Sequence, residues 1–281
     1  MNTLRKVSLV GGDARQLHLA HLFSREGFSV TTHALSAGSF DPAPLAASQI
    51  VLLPMPMTDK TGGLFAPLYP EPIPTACVLD ALRSEQYIFA GKVPATTAQQ
   101  ASRRGLTIRD YLLRPELTIA NAVPTAEGAV QLAMEALPIT LHRSQVLVTG
   151  CGAVGQCTAQ RFLALGANVT VCARSPAQLA LAESLGCSPL PLDRLGRDGG
   201  SWDLVVNTVP APILTIERLA ALGAPVLLEL ASPPGGFDPA DAAALGLRSI
   251  AAPGLPGRVA PHTAARAIFD TVRRMMAEPD L

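Results

Sequence analysis

Residues 145–175 read QVLVTGCGAVGQCTAQRFLALGANVTVCARS, and no other stretch restricts the fold of this chain so tightly. A short apolar run, Val146-Leu147-Val148, ends in Gly150-Cys151-Gly152-Ala153-Val154-Gly155, and an apolar-periodic segment follows at once. The order is strand, glycine turn, helix. The glycines have the Gly-x-Gly-x-x-Gly spacing in the setting a dinucleotide fingerprint requires. Gly150 permits the tight turn, Gly152 lets the backbone approach a pyrophosphate, and Gly155 lets helix and strand pack closely. The helix start, at Ala153 and Val154, then offers free N–H groups to the phosphates. A second strand over Asn168–Cys172 completes a βαβ unit. Glycines also serve as ordinary turn residues, so the bland alternative is a turn that binds nothing.

The end of that second strand separates the two nicotinamide dinucleotides. An NAD site places Asp or Glu there to accept hydrogen bonds from the ribose 2′-OH. This chain reads Val171-Cys172-Ala173-Arg174-Ser175 and has no carboxylate at that point. Arg174 is suited to pair with a 2′-phosphate while stacking on adenine, and the Ser175 hydroxyl to donate to the same group. Ser175-Pro176 is equally a good helix start, and both roles can hold together. The expected cofactor is NADP.

At 281 residues the chain has room for about two domains. An apolar fraction of 48% supplies buried cores, and 4% aromatics predicts that those cores are aliphatic. With 22 basic and 22 acidic residues the charge balances, which argues against a nucleic-acid binder. Cys77, Cys151, Cys157, Cys172 and Cys187 are scattered without Cys-x-x-Cys pairs or His partners. They read as buried thiols in a reducing cytosol, with no metal site. No signal-peptide pattern or membrane-length apolar run is present, so a soluble cytoplasmic protein is expected.

Taken in order, residues 7–10 form a strand ending in Gly11-Gly12-Asp13-Ala14-Arg15-Gln16, and a helical run follows through Phe23. Gly12, Asp13, Arg15 and Gln16 could bind an anionic group at the helix entry, or form a capped surface turn. Strands at Ser29–His33 and Gln49–Leu53 continue a βαβ rhythm and imply a parallel sheet. The proline-rich stretch from Pro54 to Pro74 excludes helix and central strand, and loops of that length tend to be lids or partner-binding segments. A strand at Gln86–Ala90, a helix at Thr96–Arg104 and a strand at Leu106–Arg109 come next.

Ala122-Val123-Pro124-Thr125-Ala126-Glu127-Gly128 predicts a helix start, with Pro124 ending an extended segment and Thr125 as the cap. Glu127 near that start either complements the helix dipole or, facing a nicotinamide cleft, orients substrate or moves a proton. Past the fingerprint, the strand Asp203–Asn207 runs into Thr208-Val209-Pro210, a loop that borders the nicotinamide ribose in such domains. Asn207 and Thr208 are suitable donors there. Strands at Pro225–Leu230 and Arg248–Ala251 follow, the latter running into a Pro/Gly loop that carries Arg258 and His262. A helix over residues 263–276 closes the chain. The expected architecture is α/β, with two doubly wound parallel-sheet, Rossmann-like domains and a cleft between them. Residues 1–124 form a substrate or partner domain, residues 125–262 an NADP-binding domain, and the helix in 263–281 packs back on the first.

The motifs GGDARQ at Gly11–Gln16, PTAEG at Pro124–Gly128, the Gly150–Gly155 fingerprint and Ala173-Arg174-Ser175 resemble the dipicolinate synthase A-subunit family. So do Asn207–Pro210, Leu230–Ser232 with Pro234–Gly236, and Ala252–Pro261. Pro233 and His262 stand where that pattern has an Arg and a Lys. The resemblance implies an enzyme of sporulating bacteria, acting in the mother cell on a dihydrodipicolinate-type substrate from the diaminopimelate and lysine pathway. It also implies a flavoprotein-like partner, the B-subunit of dipicolinate synthase; a homodimer is compatible with it. On this reading a cyclic dicarboxylate loses a hydride to NADP⁺ and a proton to a base or solvent, giving an aromatic pyridine. Arg15, Arg258 and the Gly11-Gly12 turn are candidate partners for the carboxylates, with Asp13 and Gln16 beside them. His262 and Glu127 are candidate acid–base groups. Two other readings are open: an NADPH-dependent 2-hydroxyacid-type dehydrogenase on the same architecture, and a non-catalytic cofactor-binding regulatory subunit.

Overall fold

The computed structural model describes residues 5–197 and 200–278, and the chain divides into two compact units. The first runs to Ala120 and resumes at Ala260; the second spans Asn121–Val259.

The first unit contains β1 (Lys6–Val10), α1 (Ala14–Arg25), β2 (Ser29–His33), β3 (Ile50–Leu52), α2 (Thr75–Ala81), β4 (Tyr87–Ala90), α3 (Ala95–Ser102) and β5 (Ile108–Asp110). The helix α4 (Pro115–Ala136) follows and continues into the second unit. That unit holds β6 (Gln145–Thr149), α5 (Ala153–Ala164), β7 (Asn168–Ala173), α6 (Pro176–Ser184), β8 (Ser188–Pro191), β9 (Leu204–Asn207), α7 (Ile216–Ala220), β10 (Val226–Glu229), α8 (Pro239–Ala244), β11 (Ser249–Ala251) and α9 (Leu255–Val259). The final helix, α10 (Pro261–Ala277), belongs to the first unit.

Every strand pairing is parallel, in the orders β2-β1-β3-β4-β5 and β11-β10-β9-β6-β7-β8. A parallel strand is covered on both faces, so it reads as an unbroken apolar run whose side chains alternate between two cores. Ile50 and Leu52 of β3 enter one cluster of the first unit, and Val51 enters the other. In the second unit Val146 and Val148 face one cluster and Leu147 the opposite one. Each order reverses once, between β1 and β3 and between β6 and β9. Ligands of doubly wound sheets bind at that reversal, outside the carboxyl ends of the strands.

The helix α10 buries Ala264, Ala265, Ile268, Phe269, Val272 and Met275 on one stripe, which packs against α1 within the first unit. Phe269 meets Phe23 edge-on at 4.8 Å, and Phe28 joins Phe23 at 5.3 Å. The expectation of a purely aliphatic core therefore fails in the first unit, where Phe23, Phe28, Phe89 and Phe269 share one cluster. Trp202, the only tryptophan of the sequence, packs in a cluster of the second unit with Cys172, Val205 and Leu227.

Three expectations are corrected, while the Pro54–Pro74 stretch is free of helix and of named strands, as expected. Thr125 caps nothing: α4 begins at Pro115 and carries Pro124 inside it. The ring is buried, and the Thr125 hydroxyl donates to the Asn121 carbonyl at 2.7 Å, one turn back. Glu127 is therefore mid-helix, away from the dipole's positive end. The loop carrying Arg258 and His262 is helical at Leu255–Val259, and α10 starts two residues earlier than predicted because Pro261 suits a first helical position. The Pro54–Pro74 loop is packed down: Met57 and Leu64 are buried, Thr58 bridges Leu64, and the Phe65 carbonyl accepts from Gly12 N at 2.7 Å. Of the cysteines, all free, Cys151, Cys172 and Cys187 are buried, whereas Cys77 is exposed and Cys157 half-buried.

Candidate functional site

Two groups of residues lie at the two reversal points. In the second unit the fingerprint turn follows β6. Gly150 has φ +93°, and its N–H donates to the Cys172 carbonyl at 2.8 Å. A Cβ on Gly155 would lie 2.2 Å from the Gly150 carbonyl oxygen, so this position is closed to any side chain. A Cβ on Gly152 would meet nothing within 4 Å. Gly152 is the N-cap of α5 and contributes no side chain to the helix's first N–H groups; Ala153 and Val154 follow, both half-buried. An open face over a helix start with unfilled donors fits a dinucleotide pyrophosphate.

At the end of β7, Arg174 is exposed and makes no hydrogen bond or ion pair among the described residues. Ser175 occupies the N-cap of α6 with Pro176 behind it, yet its hydroxyl caps nothing. Both side chains stand free at the strand end where the adenosine ribose of such a cofactor is held.

The loop after β9 differs from expectation. Asn207 is fully buried and its amide is committed within the fold. Its Nδ2 donates to the Val209 carbonyl at 3.0 Å and to Glu229 Oε1 at 2.7 Å, while Oδ1 accepts from Thr149 Oγ1 at 2.6 Å and from Val209 N at 3.2 Å. The Thr208 hydroxyl donates to the Thr149 carbonyl at 2.7 Å. Neither residue has a donor to spare for a ribose; they set the position of Val209 and exposed Pro210 instead. Glu229, which the sequence does not single out, is the centre of this arrangement. It accepts from Asn207, from Ala231 N at 2.8 Å and from Gly236 N at 2.7 Å, and so ties the loop after β10 to the loop after β9. A Glu ending a strand six residues before Gly-Gly is the available signal, but the partner Asn lies 22 positions away.

In the first unit the Gly11-Gly12 turn also spends its donors internally, Gly11 N on the His33 carbonyl at 2.9 Å and Gly12 N on Phe65. Asp13 caps α1. Its carboxylate also grips Arg15 at both oxygens, Nε and Nη2 each at 2.8 Å, and Nη2 reaches the Met55 carbonyl as well. Arg15 is thus buried and neutralised, not a free cation awaiting a carboxylate. Gln16 donates from Nε2 to the Leu52 carbonyl at 3.4 Å, and its buried Oε1 has no partner. These residues line a narrow recess together with Leu19, Met55, Tyr111 and Ile268. The Tyr111 hydroxyl donates to the Leu53 carbonyl at 3.3 Å, and burial raises its pKa, keeping it protonated.

The remaining candidates are dispersed. Arg258 is exposed on α9. His262 is exposed in the first turn of α10 and meets His18 edge-on at 5.3 Å. Glu127 is exposed, 4.0 Å from Arg161. No group of three metal-ligating side chains occurs among the described residues, and no helix there is long and apolar enough to cross a membrane.

Two doubly wound parallel sheets, one bearing the glycine turn, define a Rossmann-like α/β protein. A transhydrogenase from Sinorhizobium meliloti has this fold, with TM-score 0.69 at 16% identity over 96% of this chain and 92% of its own. Within that class the chain belongs to the dipicolinate synthase A-subunit family. It is 32% identical to the dipicolinate synthase A-subunit of Bacillus subtilis (strain 168), across 99% of this chain and 98% of that one. Residues 6–112 match the family model for the N-terminal domain of the dipicolinate synthase A-subunit. The crystal structure of the same protein from Bacillus halodurans superposes with TM-score 0.88 at 29% identity, covering 98% of both chains.

Proposed function

We propose that this chain is the NADP-dependent component of a two-part dipicolinate synthase. It oxidises dihydrodipicolinate, or with loss of water its hydroxy-tetrahydro precursor, to dipicolinate together with a flavoprotein-like B-subunit, in the mother-cell cytoplasm of a sporulating bacterium. The observation that carries this reading is the pairing of an open helix start at Gly152 with an uncommitted Arg174 at the end of β7. Gly150, Gly152 and Gly155 shape the turn, and the Ala153 and Val154 N–H groups bind the pyrophosphate. Arg174 and Ser175 hold the 2′-phosphate, a contact that NAD cannot make. Val209 and Pro210, fixed by Asn207 and Thr208, wall the nicotinamide end. Bound NADP⁺ supplies the acceptor for the hydride that the ring loses.

The chain's own residues bind and orient the dicarboxylate and take up its proton. Arg258 carries a cation in solvent, suited to one carboxylate, and Gly12, Asp13, Arg15 and Gln16 form the polar recess of the first unit. His262 is the acid–base group, with Glu127 as the alternative; both are solvent-accessible and can exchange the proton with bulk water.

Calorimetric titration of the chain with NADP⁺ and NAD⁺ tests the reading. NADP⁺ is expected to bind at least about ten-fold more tightly, and Arg174→Asp to abolish that preference. Equal affinity for the two cofactors in the unaltered chain overturns it. Formation of the pyridine product from freshly generated precursor, with and without the B-subunit, then assigns the reaction.

A further inference from the structure

Gln16 lies on the first turn of α1, at the point where the first sheet's strand order reverses. Its orientation is fixed: the Leu52 carbonyl can only accept, so the amide nitrogen faces it and Oε1 faces away. Gly12 is required for this placement, since a Cβ there would sit 2.4 Å from Gln16 Cγ. The residue is 3% exposed, and Oε1 is left without a donor on the wall of the recess. A buried acceptor left unmet is destabilising, so its retention calls for a partner that the chain does not provide.

The rest of the wall says what that partner is. The Arg15 charge is balanced by Asp13, and two of its nitrogens are already engaged. The Tyr111 proton is committed to Leu53. Gln16 Oε1 is therefore the acceptor of this wall that the chain leaves unmet, and what it lacks is a donor. We infer that this recess takes an O–H or N–H donor carried by the substrate ring, and that Gln16 Oε1 is the acceptor that selects it. This selection rests on the proposed function, in which a ring dicarboxylate binds at the first unit. It adds the part of the ring that is recognised: a donor separates a hydroxylated or N–H-bearing ring from the aromatic product, which has neither.

Three ring probes test it, titrated into the full chain with and without NADPH. Tetrahydropyran-2,6-dicarboxylate carries no ring donor, its 4-hydroxy derivative adds an O–H, and piperidine-2,6-dicarboxylate adds N–H. At least one donor-bearing probe is expected to bind about ten-fold more tightly than the parent ether, and which one does so identifies the donor. Gln16→Met, of similar length and with a thermal melt as control, is expected to erase the difference between the probes. Equal affinity for all three probes overturns the inference, leaving a resident water as the partner, but spares the proposed function. A preference that survives Gln16→Met also overturns it. Failure of every probe to bind in either condition overturns both.

Discussion

Gly152 and Gly155 are three residues apart and answer to different physics. Gly152 has an ordinary φ of −79° and open space where a Cβ would go. Gly152→Ala should therefore melt with the parent chain yet bind NADP⁺ at least about ten-fold more weakly, because the methyl occupies the pyrophosphate's place. Gly155→Ala places its methyl against the Gly150 carbonyl, and overpacking of that kind costs about 1–3 kcal/mol before any ligand is added. Thermal melts and calorimetry on the two variants separate a binding glycine from a packing glycine. Spacing alone makes both roles legible, since the fingerprint assigns one to each position. Asn207, Thr208 and Arg15 are legible as polar residues near a site but not in their state of engagement. Their partners, Glu229, Thr149 and Met55, come from other parts of the chain, and local sequence does not say whether a donor is already taken.

At the scale of elements, long apolar runs are readable and short or interrupted ones are not. The strands β1, β6 and β7 are legible within a residue or so because a doubly covered strand is rich in buried apolar residues. The short helices α2, α7, α8 and α9 lack enough turns to show a period, and tertiary packing decides them. Pro124 is the clearest case of packing overriding propensity. It leaves the Ala120 carbonyl without its helical donor, at a cost of about 3 kcal/mol. Burial of the ring returns about 1.6 kcal/mol for the two methylenes that alanine lacks. The first magnitude is larger, so Pro124→Ala should raise the denaturant midpoint, with a net gain of about 1 kcal/mol. A lower midpoint would mean that the ring's packing outweighs the missing bond. The displaced helix start has the same origin: a proline preceding a threonine is a strong local stop-and-cap signal, and α4 runs through it all the same.

For the molecule as a whole, equal numbers of acidic and basic residues leave no net charge at pH 7, and individual buried groups add their own pH limits. Cys172 is the plainest. Burial pushes its thiol from 9.0 up to about 12. A raised thiol pKa means the folded state holds the proton that the unfolded chain releases, so the contribution to stability is intact below about 9 and lost as pH rises from there towards 12. Melting temperature should fall through that window, and fall less in Cys172→Ala than in the parent chain. The transition can be read without any label, because Trp202 shares a cluster with Cys172. All three tyrosines, Tyr69, Tyr87 and Tyr111, belong to the other unit. The chain thus has two intrinsic fluorophore types sorted by domain, and indole emission follows the dinucleotide-fold half while phenol absorbance follows its companion.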